Sequence, residues 1–503
     1  MSQIPEIRTR DPRRWKALAF ISLAQLMVSL DATIVNIALP DAQHALGISD
    51  ANRQWVITAY ALAFGGLLLF GGRIADKWGR RPAFLVGLIG FGVASAVGGV
   101  ATNEGMLLGS RALQGAFGAL LAPAALSLLA VTFDDVKERA KAFGVFGAIT
   151  GAGGAVGLLL GGVLTEYLNW RWTFFVSIPL AIIAAVGAYF TIHEPEGGRD
   201  RSPLDIPGVV LSTLGLVALV YGFTRAEATG WSAPSTIWLF VASAVLLAVF
   251  AFIESKVKNP LLPLRVITER NRSGAFASLG LATVGLFGAF LFLTYYLQVV
   301  QGYSAIKTGF AFLPLAVSFS VGATQIGARL ATRLPARLAM APGFAVAAIG
   351  MIFLTRLEVG PSYADAILPG LVLLGLGMGA GFMPAMSLAT HGVQPRDAGV
   401  ASAMANTSQQ VGGAIGTALL NTLAASATTA YLASHTATTK LAQAQSLIHG
   451  YTHAIWWAVA IEAMAALIAL IFINAGRPGS TEVASSTDEP STEGEVQLPT
   501  AFH

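Results

Sequence analysis

Long apolar runs alternate with short polar segments along almost the whole chain. A helix that crosses a membrane needs roughly 20 consecutive apolar residues. At that window the pattern predicts fourteen spans, near residues 17–39, 54–72, 83–101, 106–131, 142–164, 172–192, 206–223, 235–253, 273–297, 306–327, 338–355, 364–389, 399–424 and 450–474. The pattern therefore indicates an all-α membrane protein.

Composition excludes an ordinary soluble domain. Hydrophobic residues make up 54% of the 503 residues and charged residues 12%, with a mean hydropathy of +0.66. Soluble domains carry roughly 25% charged residues, so this chain has too few to cover a water-exposed surface. It has no cysteine, which excludes disulfides, thiolate metal sites and a cysteine nucleophile.

The basic residues predict the orientation of the spans. An even number of spans puts both termini on one side, and that side holds 24 of the 31 Lys and Arg residues, against 6 on the other. Cytoplasmic loops are enriched in Lys and Arg, so both termini are predicted to be cytoplasmic. The same bias explains the net charge of +4, and no nucleic-acid partner is expected. The first apolar run is too long for a signal peptide and is expected to be the first span.

Two sequence matches indicate an internal repeat. "GRIADKWGRR" (72–81) aligns with "ARLATRLPAR" (328–337), and "GVFGAITGAGGAVGLLLG" (144–161) aligns with "GVASAMANTSQQVGGAIG" (399–416), at offsets that differ by one residue. Two halves of six spans follow, with two further spans inserted between them. Parallel six-span repeats place a substrate path between the halves, near the middle of the membrane.

This repeat divides the chain into five parts. They are a cytoplasmic N-terminus (1–16), an N-terminal six-helix bundle (17–192), two inserted helices (206–253), a C-terminal six-helix bundle (273–474) and a disordered cytoplasmic tail (475–503). The Ala-, Thr- and Ser-rich stretch 425–448 is predicted to be an outer loop.

Two opposite charges are expected at the same depth of the membrane. Asp31 lies 14 residues beyond Ala17, roughly 21 Å into the first span, which leaves about 9 Å to the outer edge of a ~30 Å core. Arg111 lies 5 residues beyond Met106 in a span of opposite direction, roughly 8 Å from that edge. Charged residues inside the membrane are energetically costly and usually functional. Asp31 is therefore predicted to be ion-paired or protonated, or to alternate between the two states. Such an alternation is what proton coupling requires. A static structural ion pair is the alternative.

A second acidic residue is predicted deep in the last span. Glu462 lies eight residues past Ala454, roughly 12 Å into the membrane. It is a candidate site for a second proton or a cation. A packing or lipid-interface role is the equally weighted alternative, because the last span is expected at the periphery.

Four segments match known patterns: "LDATIVNIALP" (30–40), "GGRIADKWGRRPAFL" (71–85), "LLGSRALQGAFGA" (107–119) and "GVFGAITGAGGAVGLLLGG" (144–162). With them the chain resembles the major facilitator superfamily, and within it the fourteen-span drug:proton antiporter family. The resemblance covers nearly all of residues 15–475. It departs from the family at Leu158, where a proline usually follows the glycine.

The resemblance implies roles for two groups of residues. The loop after the second span would form a cytoplasmic gate, with two acidic candidate partners at the inner end of the fourth span: Gly72, Asp76, Gly79, Arg80 and Arg81, with Asp134 and Asp135. The fifth span would carry the family's antiporter glycine motif, whose bare face lets another helix pack closely: Gly153, Gly157, Gly161 and Gly162.

Uncharged polar residues in the spans are candidates for a substrate cavity. They are Gln25, Asn36, Tyr60, Gln114, Tyr295, Asn406, Gln409 and Gln410. The resemblance implies a monomeric, proton-coupled exporter of amphipathic antibiotics or other drugs in a bacterial cytoplasmic membrane, of the kind that protects producers of puromycin-like compounds. Proton-coupled transport of a small metabolite in either direction is the alternative on the same fold.

Other classes are disfavoured by what the sequence lacks. No His, Asp or Glu cluster has the spacing of a metal site or an active site, so neither a metal nor an enzymatic activity is expected. No Gly-x-x-x-x-Gly-Lys-[Ser/Thr] loop is present, so ATP is not expected to drive transport. No organic cofactor is expected.

Overall fold

The architecture is that of a helical bundle. A computed structural model describes residues 13–50, 52–133, 135–192, 204–257, 260–360, 363–393, 397–434 and 439–475, and these residues contain helices and no strands. Nearly all of the predicted N-terminal segment and tail lies outside them. The end of the bundle opposite the start of the first helix is called the outer end, after the predicted orientation.

Fourteen long helices occur in the described residues. The first six are α1 (Arg14–Leu46), α2 (Trp55–Trp78), α3 (Arg80–Gly99), α4 (Glu104–Thr132), α5 (Val136–Tyr167) and α6 (Trp172–Thr191). The next two are α7 (Ile206–Thr229) and α8 (Pro234–Glu254). The last six are α9 (Arg270–Val300), α10 (Ala305–Ala331), α11 (Ala336–Leu354), α12 (Tyr363–Thr390), α13 (Ala398–Ser434) and α14 (Lys440–Phe472).

Thirteen of these helices are long and apolar enough to cross a membrane. The other is α13, which contains the thirteenth predicted span, 399–424. Its first half carries the run Asn-Thr-Ser-Gln-Gln (406–410), which lowers its hydropathy. At 37 residues it is nevertheless the longest of the fourteen.

The prediction of an outer loop over 425–448 is wrong for most of this segment. Helix α13 continues to Ser434, and α14 already begins at Lys440. The segment "AASATTAYLAS" (424–434) is rich in alanine, the residue with the highest helix propensity. The polar residues of this segment suggest a loop, but the high helix propensity of its alanines favours a helix.

The helices pack as two groups of six. In the first group α1 packs on α5 and α6, α2 on α4, and α3 on α4 and α6. In the second, α9 packs on α13 and α14, α11 on α12 and α14, and α10 on α12. The groups meet along two seams, α2 against α13 and α5 against α10. The inserted helices pack on each other, and α7 also contacts α2 and α13.

Glycines bring the two halves close at these seams. A Cβ on Gly162 of α5 would lie 2.6 Å from Cα of Ile306 in α10, and one on Gly309 of α10 would lie 2.6 Å from the carbonyl oxygen of Leu158. Real Cβ atoms essentially never approach so closely, so larger residues would force α5 and α10 apart. The α5–α10 seam therefore depends on glycines, which have no side chain, in both halves.

Candidate functional site

Asp31 and Arg111 form a buried ion pair in the N-terminal half. Arg111 Nη1 lies 2.6 Å from Oδ2 of Asp31, and Gln114 Nε2 donates to Oδ1 at 2.9 Å. Asp31 is 0% and Arg111 1% exposed. Both carboxylate oxygens thus have a donor inside the bundle, and the expected matching depth of the two charges corresponds to direct contact.

The rest of the network fixes Arg111 from neighbouring helices. Its Nε donates to the carbonyl oxygen of Val56 on α2 at 2.9 Å, and its guanidinium lies 4.4 Å from the ring centroid of Tyr60. Gln114 accepts from Arg111 Nη1 at 2.8 Å and donates to Ser95 Oγ on α3 at 2.8 Å. A buried ion pair is favourable only when its remaining hydrogen-bonding groups are satisfied in this way.

Bare backbone allows the helices around this network to approach. Gly115, next to Gln114, faces α2: a Cβ there would overlap the carbonyl oxygen of Tyr60 and lie 2.9 Å from Cβ of Ala63. Any larger residue would push α4 away from α2. The close α2–α4 contact is what lets Arg111 reach the backbone of Val56.

Helix α1, which carries Asp31, is packed against the glycine motif of α5. The three glycines on this face are Gly153, Gly157 and Gly161. A Cβ on the second would overlap Thr33 Oγ1, and one on the third would lie 2.9 Å from the carbonyl oxygen of Ile34. Thr33 Oγ1 also donates to the carbonyl oxygen of Gly154 at 3.1 Å. The fourth glycine, Gly162, instead faces α10 of the other half, so α5 connects the helix of Asp31 to the seam between the halves.

Glu462 is buried inside the C-terminal half. It is 0% exposed, and neither carboxyl oxygen has a hydrogen-bond partner among the described residues. A Cβ on Gly285 of α9 would lie 3.1 Å from Glu462 Oε2 and 2.8 Å from Cε of Met351 on α11. The lipid-interface alternative for Glu462 is therefore wrong, because α14 turns this residue toward α9 and α11.

Most of the predicted gate loop is helical: α2 continues to Trp78 and α3 begins at Arg80, so only Gly79 lies between the two helices. Gly79 joins the two helices with φ of +109°, a conformation that side chains with a Cβ rarely adopt. Gly72 faces Pro123 of α4, and a Cβ there would lie 3.7 Å from the proline Cβ, in ordinary contact. Asp76 and Arg80 are half-buried.

Two arginines of this loop bind backbone carbonyls. Arg81 Nη2 donates to the carbonyl oxygen of Tyr189 on α6 at 2.6 Å, within the same half. Arg73 Nη2 donates to the carbonyl oxygen of Pro260 at 2.8 Å, in the segment between the inserted helices and α9. The loop therefore contacts both its own bundle and the connection to the other one.

Asp135, one of the two acidic candidate partners of the gate, lies directly before the first residue of α5. Asp135 Oδ1 accepts from the backbone N–H of Glu138 at 3.0 Å and so caps the first turn of that helix. Asp134 lies outside the described residues.

The candidate cavity residues fall into different environments. Tyr60 and Gln114 belong to the Asp31 network described above. Tyr295 is 3% exposed and lies at the outer end, where its hydroxyl donates to Gln43 Oε1 across the halves. Gln410 of α13 faces Gly65 of α2, where a Cβ on the glycine would lie 2.8 Å from Cβ of the glutamine.

The side chains of the other four candidate cavity residues form hydrogen bonds mainly within their own helices. Gln25 Nε2 donates to Ser29 Oγ at 3.5 Å, Asn36 Nδ2 to the carbonyl oxygen of Ala32 at 3.1 Å, Asn406 Nδ2 to that of Ser402 at 3.0 Å, and Gln409 Nε2 to that of Ala405 at 3.2 Å. Asn36 Oδ1 is buried with no hydrogen-bond partner in the described part of the chain. Their side chains are not joined to one another in the way that those around Asp31 are.

Arg53 is an important residue that the sequence pattern did not single out. In the sequence, Arg53 is only one of the six basic residues predicted on the outer side. In the structure it is 6% exposed and contacts residues of the other half. Nothing in the local sequence distinguishes it from an ordinary loop arginine.

The family model of the Major Facilitator Superfamily matches residues 21–417. The chain belongs to this superfamily and is a multi-pass membrane transporter. It is 50% identical to the puromycin resistance protein of Streptomyces alboniger over 96% of this chain and 95% of that protein. It is 37% identical to the cephamycin export protein of Amycolatopsis lactamdurans, over 83% and 87%, and 34% identical to the lincomycin resistance protein of Streptomyces lincolnensis, over 82% and 84%.

A solved structure supports the fold. A bacterial homologue of the human lysosomal transporter Spinster, in an inward-facing and unoccupied conformation, superposes with a TM-score of 0.66. The match covers 92% of this chain and 97% of that one at 18% identity. The major facilitator fold implied by the resemblance is thus confirmed.

Proposed function

We propose that this protein is a proton-coupled antiporter that exports amphipathic antibiotics or other drugs across the cytoplasmic membrane, as a monomer with both termini in the cytoplasm. Its similarity to three antibiotic resistance or export proteins supports the class of substrate. A puromycin-like compound is the substrate we put first, since that relative is similar over 96% of the chain. The observation that carries proton coupling is the sealed Asp31–Arg111 pair in the membrane interior.

Asp31 is suited to couple a proton to a movement of helices. With Asp31 ionised, Arg111 and Gln114 on α4 hold α1 through two hydrogen bonds. A proton on the carboxylate removes the charge that makes the bond to Arg111 strong. Binding and release of the proton would therefore change how firmly α1 is held to α4.

The packing provides a route from this change to the seam between the halves. Helix α1 is packed on α5 through the bare faces of Gly157 and Gly161. Helix α5 in turn meets α10 at Gly162. A displacement of α1 is expected to move α5 against α10, and so to bias the equilibrium between inward-open and outward-open arrangements.

Glu462 is proposed as a second proton site. An ionised carboxylate buried without a partner costs several kcal/mol or more, and such groups usually take up a proton instead. Glu462 has no partner in the described part of the chain. It would lose its proton only in an arrangement that admits water to the space between α9, α11 and α14.

The α2–α3 loop is proposed as the cytoplasmic gate, with Asp76 as its acidic residue. The contact of Arg73 with Pro260 supports this role, because it joins the loop to the segment leading into the second half. The substrate is proposed to bind between the halves, near the polar residues of α1 and α13.

Reconstituted vesicles test this function directly. Protein in vesicles is given labelled puromycin and a pH step, and accumulation is followed with and without an uncoupler. Accumulation that requires the pH gradient and stops with the uncoupler is expected. Transport that is indifferent to the gradient would contradict proton coupling, and no movement of puromycin, cephamycin or lincomycin would contradict drug export.

A further inference from the structure

An arginine from one half is buried in the other at the outer end. Arg53 precedes α2, and its Nε and Nη2 both lie 3.3 Å from Oδ1 of Asn421 on α13. Its guanidinium lies 3.9 Å from the ring centroid of Tyr295 on α9, at the distance of a cation–π contact. Only 7% of its side chain is exposed, so this cation is almost fully removed from solvent.

Asn421 binds the N-terminal half with both ends of its amide. Its oxygen accepts from Arg53, while its Nδ2 donates to Gln54 Oε1 at 3.0 Å and to the carbonyl oxygen of Asp50 at 3.3 Å. Gln54 is 0% exposed and Asn421 1%. A buried amide with its donor and acceptor both used fixes one arrangement of the two halves, since any separation leaves several buried polar groups unsatisfied.

A second layer of contact lies one helical turn further into the membrane. Thr58 Oγ1 on α2 and Thr417 Oγ1 on α13 lie 2.7 Å apart, and both residues are 0% exposed. Thr58 follows Gln54 by four residues and Thr417 precedes Asn421 by four, so each pair shares one helix face. A reagent that enters along this seam from the outer end must pass Arg53 and Asn421 before it reaches Thr58.

The inserted helix α7 is bonded to both sides of this contact. Gln54 Nε2 of the first half donates to Thr224 Oγ1 at 3.4 Å, and Thr422 Oγ1 of the second half donates to the carbonyl oxygen of Phe223 at 3.0 Å. Helix α7 is therefore hydrogen-bonded to both halves beside this contact and stabilises it.

We propose that Arg53, Asn421 and Tyr295 form an outer latch, with Arg53 as the residue that must leave the other half each time the outer end opens. The proposal rests on the alternating access of the proposed function. In the closed state the buried guanidinium is compensated by the hydrogen bonds to Asn421, by the ring of Tyr295 and by Asp50 of its own half, whose Oδ1 lies 3.3 Å from Nη1. In the open state water replaces Asn421 and Tyr295, so a half-opened seam that admits no water leaves the guanidinium with Asp50 alone. Such a residue makes the two end states distinct and the passage between them cooperative.

The absence of cysteine makes the latch testable by thiol labelling. Thr58→Cys places one thiol beneath the latch, and a membrane-impermeant thiol reagent is added from the outer side. Arg53→Gln and Asn421→Ala are each combined with this change. We expect each to raise the labelling rate at least about tenfold, as the loss of one hydrogen bond to a charged group would.

Arg171→Gln is the matched control. Arg171 is also an arginine predicted on the outer side that lies over an aromatic ring, 4.4 Å from the centroid of Trp170, but its Nη1 donates to Gly99 and Ala101 of its own half. Added to the Thr58→Cys protein, this change should leave the labelling rate as it was. Size-exclusion profiles of the purified variants separate loss of the latch from loss of folding.

The proposal is overturned if well-folded Arg53→Gln and Asn421→Ala proteins label at the parent rate, or if Arg171→Gln accelerates labelling as much as they do. Neither result depends on protons or on the identity of the drug. If the latch variants label faster but the parent transports no drug with a pH gradient, the latch stands and the proposed antiport fails. If transport is proton-coupled but labelling does not respond, the antiport stands and the latch fails.

Discussion

Arg111 Nη1 lies 2.6 Å from Oδ2 of Asp31, on two helices that run in opposite directions, and neither residue is more than 1% exposed. Because Gln114 satisfies the second carboxylate oxygen, the pair is balanced in both charge and hydrogen bonding. Removing either partner disturbs this balance in a different way, which makes the pair open to double-mutant analysis.

Arg111→Gln should destabilise the protein more than the double change Asp31→Asn with Arg111→Gln. The single change leaves a buried carboxylate without its cation, and breaking a buried pair in this way costs about 3–5 kcal/mol. The double change leaves no unpaired charge, so its thermal unfolding temperature in detergent should lie above that of Arg111→Gln. Equal unfolding temperatures for the two variants would show that Asp31 does not carry the charge opposite Arg111.

Gly157→Ala should impair both folding and transport, since its Cβ would overlap Thr33 Oγ1 and separate α1 from α5. Overpacking of this kind costs typically ~1–3 kcal/mol. Gly147→Ala on the same helix is the control: its Cβ would meet nothing within 4 Å, and alanine favours helix over glycine by up to ~1 kcal/mol. Unfolding temperatures and drug uptake should therefore fall for the first variant and hold or rise for the second. If both behave alike, the glycine motif is not needed for α1 to approach α5.

The position of Asp31 and Arg111 along the membrane could be predicted from sequence, because depth follows from counting residues along a helix of known rise. Which residues surround them could not. Gln114 and Ser95 join the network because α4 turns Gln114 toward α1 and α3 turns Ser95 toward Gln114, and the rotation of a helix depends on packing with neighbours distant in sequence. For the same reason the sequence leaves a lipid-interface role for Glu462 open, whereas the structure buries this residue.

The outer end shows a second limit of the sequence. Arg53 looks like a topology charge because its local surroundings are polar, and its partner Asn421 lies 368 residues away. The spans themselves are easier to predict, since the apolar pattern is local. Several helices nevertheless extend beyond their predicted spans: α1 ends at Leu46, α2 at Trp78 and α13 at Ser434, and α14 begins at Lys440.

Asp76→Asn should keep expression and membrane insertion but lower the transport rate at least about tenfold, because one charged contact is worth roughly that factor. The change removes a charge from the last turn of α2 and leaves the shape of the side chain. Lys77→Gln, in the same helical turn, is the control for loss of a topology charge. Initial rates of puromycin uptake at matched protein amounts are compared. Wild-type rates for Asp76→Asn would show that this residue is not part of a gate.

Glu462→Gln should fold normally, because the amide has nearly the same shape and carries no charge into the core of the C-terminal half. If Glu462 binds a second proton, the variant should release fewer protons per molecule of substrate than the wild type. The number of protons released is measured by a pH indicator at saturating puromycin. An unchanged number would assign Glu462 to packing alone.

The central claim is that Asp31 exchanges a proton during transport, and proton release from purified protein in weakly buffered detergent tests it most directly. Puromycin is added and the pH change recorded for the wild type and for Asp31→Asn, which keeps the size of the side chain without a titratable group. The wild type is expected to release protons when substrate binds, and Asp31→Asn is expected to bind puromycin without this release and to lose gradient-driven export. If Asp31→Asn releases as many protons as the wild type and still confers resistance, Asp31 is one half of a structural pair and the coupling site lies elsewhere.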